Sequence, residues 1–363
     1  MKPTVGIFGS PDDAEVGALV QRLRARGAEP WVIDLASFPR SLRVVWREGS
    51  VLVEGRDTRE MGSAYLRTVG RNLPRCARYG EPCPSVSAEA WRLLYDPTLA
   101  ALRRERVNQA LRNTIIQGVA RRCPVINPPI PQNLHRQKPL LFSRLVRAGV
   151  PVPPFLCTSE PESAHAFAEH GWRTWSGVVD KPSAGIYKTT LWGEDSAKSH
   201  RWAIRPALLQ RYIAGDTVRC YVLRYQVVAA ARIVHGGTID SSMSQTGIAP
   251  VDLTAEQRSI AERTARSLDL LFCGMDLMVE AGSHETWVID CNLSPMFVNF
   301  AKLSLVDVQG LLADALIELA LGGKSVGRPA VFDMVEEAKR LLASDPRLRD
   351  RRSGGTPGRG DKP

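Results

Sequence analysis

Two stretches late in the chain gather residue types that bind hard cations. Gly274-Met-Asp-Leu-Met-Val-Glu280 and Trp287-Val-Ile-Asp-Cys-Asn-Leu-Ser-Pro295 read as two strands joined by the turn Ala281-Gly-Ser-His284. Asp290 and Asn292 are two residues apart, so on a strand both point to one face. Pairing about the turn sets Asp276 nearly opposite Asp290. Two like-charged carboxylates across a sheet repel, and a cation between them relieves the repulsion. Carboxylate and amide oxygens suit magnesium shared with substrate phosphates, or manganese in its place. A solvated hairpin face is the plainer reading of these acids. Apolar neighbours on both strands and the following Ser-Pro weigh against it. Cys291, between the two ligand positions, should face the other way and pack in the core.

Two further clusters suit a nucleotide. In Val178-Val-Asp-Lys-Pro-Ser-Ala-Gly185 a lysine ends an apolar strand and a small-residue loop follows. Such a lysine, Lys181, can place its ammonium on a phosphate, with Lys188 just beyond. In Gln210-Arg-Tyr-Ile213, then Gly215-Asp216, a polar residue leaves an apolar strand. Its backbone could meet an adenine edge, and Asp216 a ribose hydroxyl. Taken singly, a commonplace Lys-Pro turn and a simple strand end are the plainer readings of these two clusters.

The elements that must position these residues follow from periodicity. The start reads as β-α-β: a strand at Thr4–Phe8, a helix at Ala14–Ala25 with Val16, Leu19, Val20 and Leu23 on one side, and a parallel strand at Trp31–Asp34. The loop Gly9–Asp13 lacks a three-glycine dinucleotide pattern, so Ser10 or Asp12 should simply cap the helix. A hairpin is expected at Arg43–Glu54, a loop at Asn72–Pro84 and helix over much of Ser87–Arg122. Cys123–Pro131 is a Pro-rich linker. A helix at Gln137–Ala148 ends at Gly149. Strands are expected at Val178–Lys181, Leu208–Ile213, Val218–Leu223 and Gln226–Val234. An amphipathic helix at Thr254–Leu268 and a closing helix at Leu305–Leu321 complete the pattern. The apolar-poor end beyond Ser344 should be disordered.

Composition narrows the class. The 363 residues allow two or three packed units, and 44% hydrophobic with 24% charged residues is ordinary for a globular chain. Met1–Phe8 is too short and too quickly broken for a signal peptide, and no long apolar run predicts a membrane span. Seven scattered cysteines without a C-x-x-C pair fit a reduced, cytoplasmic setting. The net charge of +10 comes from arginines spread along the chain and a basic tail. No nucleic-acid motif accompanies it, so no nucleic-acid partner is expected. A positive cleft for phosphates or an acidic substrate is the milder use of that charge.

In this order, these residues resemble the ATP-grasp superfamily from about Asn127 to Leu305. The likeness is nearest to the branch holding glutathione synthetase, RimK-type glutamate ligases and graspetide synthetases. It implies an α/β (α+β) ATP-grasp fold: a βαβ pre-grasp domain, then two α+β subdomains that clasp ATP. The divisions would be 1–124, 125–206 with the phosphate loop, and 207–325 with the adenine hinge and metal site. A helix at 326–344 and a basic tail at 345–363 would follow. By resemblance, Lys138 and Lys181 match the two phosphate-contacting lysines, and Ser183 to Gly185 the mobile loop over the phosphates. Gln210, Arg211, Tyr212 and Ile213 match the adenine hinge, and Asp216 the ribose contact. Arg219 and Arg232 resemble arginines near the reacting phosphate. Asp276, Asp290 and Asn292 match the magnesium ligands. Asp290 stands where the family usually has Glu, and Gly215-Asp-Thr-Val-Arg219 carries one extra residue. No arginine follows the aspartate in Thr238-Ile-Asp-Ser-Ser242.

The chemistry implied is ligation. A carboxylate attacks the γ-phosphorus of Mg-ATP, ADP leaves, and an amine or hydroxyl displaces phosphate from the acyl phosphate. A small-molecule or peptide carboxylate fits, and the sequence leaves a homodimer open. Positioning and charge carry such a reaction, so no covalent nucleophile is nominated. Two other readings stand beside it: a nucleotide-binding sensor or scaffold with degraded catalysis, and a peptide-binding module.

Overall fold

The computed structural model describes residues 2–47, 50–67, 97–129, 134, 137–181, 189–200, 202, 206–235 and 245–322, with backbone alone at 97–106, 235, 245 and 246. The loop at 72–84, Ser183, Gly185, Lys188, the 238–242 stretch, the helix at 326–344 and the tail at 345–363 lie outside these residues. All described residues belong to one compact unit, Met1–Ser325. Among them, no helix is long and apolar enough to cross a membrane.

The chain opens as β1 (Thr4–Phe8), α1 (Ala14–Ala25) and β2 (Glu29–Ile33), with β1 and β2 parallel. Every residue of β1 is buried, as expected of a parallel strand covered on both faces. The cap of α1 is Asp13, not Ser10 or Asp12: its carboxylate accepts from Glu15 N at 2.9 Å. The helix starts at Ala14, so only Asp13 sits in the extended conformation one residue before it. A small sheet of β3 (Val44–Arg47), β4 (Ser50–Val53) and β5 (Arg56–Asp57) follows. Then β6 (Ser63–Leu66), α2 (Pro97–Ala120) and β7 (Val125–Ile126) complete a parallel sheet in the order β2-β1-β6-β7.

Next come α3 (Lys138–Arg147), β8 (Phe155–Thr158), α4 (Pro161–Thr174), β9 (Val178–Asp180), β10 (Thr190–Leu191), α5 (Ser196–Ser199) and β11 (Ala207–Arg211). Their strands form an antiparallel sheet, β10-β9-β11-β8. The pattern reading passes over α4 because its buried face is Ala164, Ala168 and Gly171, which give little hydrophobic signal.

The last sheet is antiparallel, in the order β14-β13-β12-β15-β16. It comprises β12 (Gly215–Leu223), β13 (Gln226–His235), β14 (Gln245–Pro250), then α6 (Ala255–Ser267), β15 (Phe272–Glu280) and β16 (Thr286–Asn292). The expected single closing helix is two, α7 (Val298–Ser304) and α8 (Val308–Ala320). Leu305, at φ +62°, ends the first, and the Asp307 carboxylate caps the second by accepting from Gly310 N at 3.1 Å. One apolar core joins β1, α1 and α8 to Tyr221, Phe272 and Phe297. Another joins α3 and α6 to the other face of the last sheet, through Val218, Cys220, Met275 and Cys291.

Candidate active site

The candidate site is built on a row across three strands. Arg219 on β12 stands opposite Asp276 on β15, which stands opposite Asp290 on β16. Two residues along, on the same face, Gly274 pairs with Asn292. The expected opposition of Asp276 and Asp290 is present in the register. Immediately beyond it the pairing slips, from Asp276↔Asp290 to Leu277↔Val288, which leaves Ile289 as an extra residue. A bulge of this kind frees backbone groups and re-aims side chains. Cys291 lies in the core on the other face, beside Met275.

Cations from three elements converge on the row. The Arg219 guanidinium donates to both oxygens of Asp276, at 2.8 and 2.9 Å. Asp276's charge raises the Arg219 pKa further above its ordinary value, overcoming burial. Lys138, in the first turn of α3, donates to Asp290 Oδ2 at 3.2 Å. Lys181, buried just past the end of β9, donates to the bulged Ile289 carbonyl. The repulsion between the two acids is thus met by protein cations, Arg219 for Asp276 and Lys138 for Asp290. No metal is needed for charge balance. Among the described residues, no group of three or more His, Cys, Asp or Glu could hold a metal. The candidate set of Asp276, Asp290 and Asn292 holds only two carboxylates plus an amide oxygen. That hard, incomplete donor set fits magnesium, which keeps places for water and phosphate oxygens. Asn292 Oδ1 accepts from Ser294 N at 3.0 Å and keeps its second lone pair.

The hinge residues sit where β11 leaves its sheet. Gln210 is buried, and its Nε2 finds no acceptor among the described residues. The backbone N–H groups of Arg211 and Tyr212 are occupied by the carbonyls of Pro154 and Gly177, at 2.8 and 2.9 Å. These two groups therefore cannot read a nucleobase. Arg211 instead pairs with Glu280 Oε1 at 2.5 Å and lies over the Trp287 ring, 5.3 Å from its centroid. Trp287 Nε1 also donates to Glu280, at 3.2 Å. The end of β11 is thereby tied to the β15–β16 hairpin. Ile213 is buried beside this junction.

Asp216 and Arg232 are not part of the row. Arg232 opposes Val218, so it stands on the face away from Arg219. There it meets Asp216 across 3.5 Å with both side chains half exposed or more. Four residues that sequence reasoning assigned no role belong to the site's surroundings: Arg67, Asn127, Glu280 and Ser294. Arg67 and Asn127 each directly follow an apolar strand, at the ends of β6 and β7. That is a weak signal shared by many polar residues.

With this geometry described, comparison with known proteins is direct. Residues 135–316, half of the chain, match the RimK-like ATP-grasp domain. A probable alpha-L-glutamate ligase of Picosynechococcus sp. is 36% identical over 126 residues, 33% of this chain and 41% of that protein. A second, from Maridesulfovibrio salexigens, is 34% identical over 123 residues, 32% and 40% of the two. The chain thus spans about two fifths of the length of the curated relatives it matches. Structures of the ATP-grasp ligase PsnB align over far more. With its minimal precursor, PsnB covers 88% of this chain and 100% of its own, at TM-score 0.73 and 27% identity. With minimal precursor, Mg and ADP, it covers 87% and 97%, at TM-score 0.72 and 28% identity. The chain belongs to the RimK-like ATP-grasp family.

Proposed function

We propose that this protein is an ATP-dependent carboxylate ligase, acting on an amino acid or peptide carboxylate through an acyl phosphate. The observation that carries the reading is the convergence of Lys138, Lys181 and Arg219 on the Asp276–Asp290 row. Three cations from separate elements, around two carboxylates, make a site for a polyphosphate and its counter-ion. Magnesium, held by Asp276, Asp290 and Asn292, would neutralise phosphate charge as the β–γ bond breaks. Lys138 and Lys181 would exchange their present oxygen partners for phosphate oxygens. Arg219, fixed by its two bonds to Asp276, keeps a positive charge beside the reacting group. A substrate carboxylate oxygen then bonds to the γ-phosphorus and ADP departs. An amine or hydroxyl bonds to the acyl carbon, phosphate leaves, and the nucleophile's proton passes to solvent. The two thiols that neighbour the row in sequence are buried in the core and poor nucleophiles: burial pushes Cys220 well above its ordinary pKa, and a hydrogen bond with Cys273, together with burial, does so for Cys291.

A peptide substrate is favoured over a free amino acid. PsnB, solved with its minimal precursor, superposes on 88% of this chain at TM-score 0.73 and 27% identity. The test is magnesium-dependent ADP release with short peptides rich in acidic side chains, beside glutamate alone. Release with the peptides supports the reading, and release with glutamate alone moves it to a free amino acid. Calorimetry supplies the second arm. Lys181→Ala should weaken ATP binding about 10- to 100-fold, the worth of a charge-assisted contact of about 1.5–3 kcal/mol. Tight ATP binding without ADP release on any carboxylate would favour a sensor or scaffold instead.

A further inference from the structure

In the loop after Asn292, the carbonyls of residues 293 to 295 bond to side chains from the ends of the parallel sheet, and the Met296 carbonyl accepts from Tyr221 Oη on β12. Asn127, fully buried just after β7, donates through Nδ2 to Leu293 O at 2.7 Å and to Phe272 O at 2.5 Å. Its Oδ1 accepts from Phe272 N at 2.8 Å. Arg67, just after β6, donates through Nη1 to Ser294 O at 2.6 Å, Ser294 Oγ at 3.1 Å and Pro295 O at 2.9 Å. Ser294 Oγ donates back to Arg67 O at 2.6 Å. The guanidinium is itself anchored at the start of α1, by Asp13 at 3.0 Å and Glu15 at 3.5 Å. Three consecutive carbonyls, those of residues 293 to 295, therefore end on two side chains more than 160 positions earlier.

This clamp decides which end of the Asn292 amide faces the site. Ser294 N–H donates to Asn292 Oδ1, so that oxygen is fixed in place with one lone pair still open. Without that donor the amide could turn and present its NH₂, which repels a cation. Arg67 holds Ser294 at its carbonyl and at its hydroxyl, on either side of that N–H. We infer that Arg67 is a positioning residue for the phosphate-linked cation, acting through Ser294 on Asn292. Asp13 and Glu15 orient the guanidinium. This rests on the ligase reading above, because Asn292 is a ligand only under that reading.

The experiment is calorimetry of ADP, with and without Mg²⁺, on the full chain. Each variant also receives a thermal melt. The quantity read is the ratio of the two affinities. Arg67→Met should lower that magnesium enhancement about tenfold, as loss of a partner that orients a metal ligand typically does; Ser294→Ala, which keeps the N–H but loses the hydroxyl's bonds with Arg67, should lower it less. ADP affinity without magnesium should not move, which a general loss of structure would not allow. Arg67→Lys should fall between, since one ammonium cannot reproduce the guanidinium fork. If Arg67→Met fails to fold, Arg67→Lys carries the test, since it keeps the charge and loses the fork that grips the 294 and 295 carbonyls. An unchanged enhancement in folded Arg67→Met, or in Arg67→Lys in its stead, overturns the inference while leaving the ligase reading intact. Wild-type protein whose ADP binding ignores magnesium overturns the ligand assignment itself, and this inference with it.

Discussion

Asp290 and Asn292 sit two residues apart on β16, yet different surroundings hold them. Asp290 is oriented by the Lys138 ammonium and by the Cys291 N–H, at 3.2 and 3.0 Å. Asn292 is oriented by a backbone donor two residues ahead. Their substitutions should therefore rank. Asn292→Ala removes a neutral ligand, and Asp290→Asn removes charge at constant size. Both should lower magnesium-dependent ADP release at least about 100-fold, while partly exposed polar sites shift stability by less than about 0.5 kcal/mol. Asp290→Glu restores the carboxylate one methylene longer and should keep measurable activity. ADP release with a melt of each variant checks the order, and full activity in Asn292→Ala would remove the metal assignment. At Asp13 the readout is pH. Burial pushes its carboxyl up, but the Arg67 charge and hydrogen bonds from Glu15 and Arg67 outweigh this and hold it below the ordinary 3.8. A carboxylate depressed on folding contributes stability that is complete above the unfolded value and is lost as pH falls through the folded one. The melting-temperature gap between wild type and Asp13→Asn should hold steady above pH 3.8 and close below it.

The element that matters most is β12, the strand joining the hinge to the Arg219–Asp276–Asp290 row. Gly215 begins it, opposite Glu280, and a Cβ there would lie 1.9 Å from the Val279 carbonyl oxygen. The clash is with backbone, so a rotamer change cannot relieve it. Gly215→Ala should cost about 1–3 kcal/mol, as overpacking does. It should also loosen the Arg211–Glu280–Trp287 junction beside it. A chemical-denaturation midpoint equal to wild type would show that the start of β12 yields at no cost. On the neighbouring strands, the slip after Asp276–Asp290 is equally local in origin. The extra residue, Ile289, offers its carbonyl to Lys181.

Across the whole molecule, the parallel sheet and the last antiparallel sheet share one apolar core, in which Ile126 and Tyr65 meet Phe272. Asn127 sits at that seam and makes three hydrogen bonds to the backbone of Phe272 and Leu293. Asn127→Ala leaves those buried backbone groups without partners, each costing about 1–3 kcal/mol. The variant should lose about 3 kcal/mol or more, and in a single transition, because the seam belongs to a core common to both sheets. Two resolved unfolding steps would show instead that the sheets unfold independently of the seam.

Sequence alone determined the parts whose physics is local. Alternation and the Ala281–His284 turn set β15 against β16, because a hairpin's register follows from its turn and its apolar face. Asp276 opposite Asp290, and Cys291 turned into the core, come from the same rule. The α1 span is equally local, its apolar residues recurring at helical spacing. Only tertiary structure decided what meets the row. Lys138 lies 152 positions from Asp290, Lys181 lies 108 from Ile289, and Arg67 lies 227 from Ser294. No period or turn signal spans such distances. Likewise Arg232 reads as an arginine near the phosphate, but its register opposite Val218 puts it on the other face. Which cation serves which carboxylate depends on how three sheets pack, and that is settled by the buried surfaces between them.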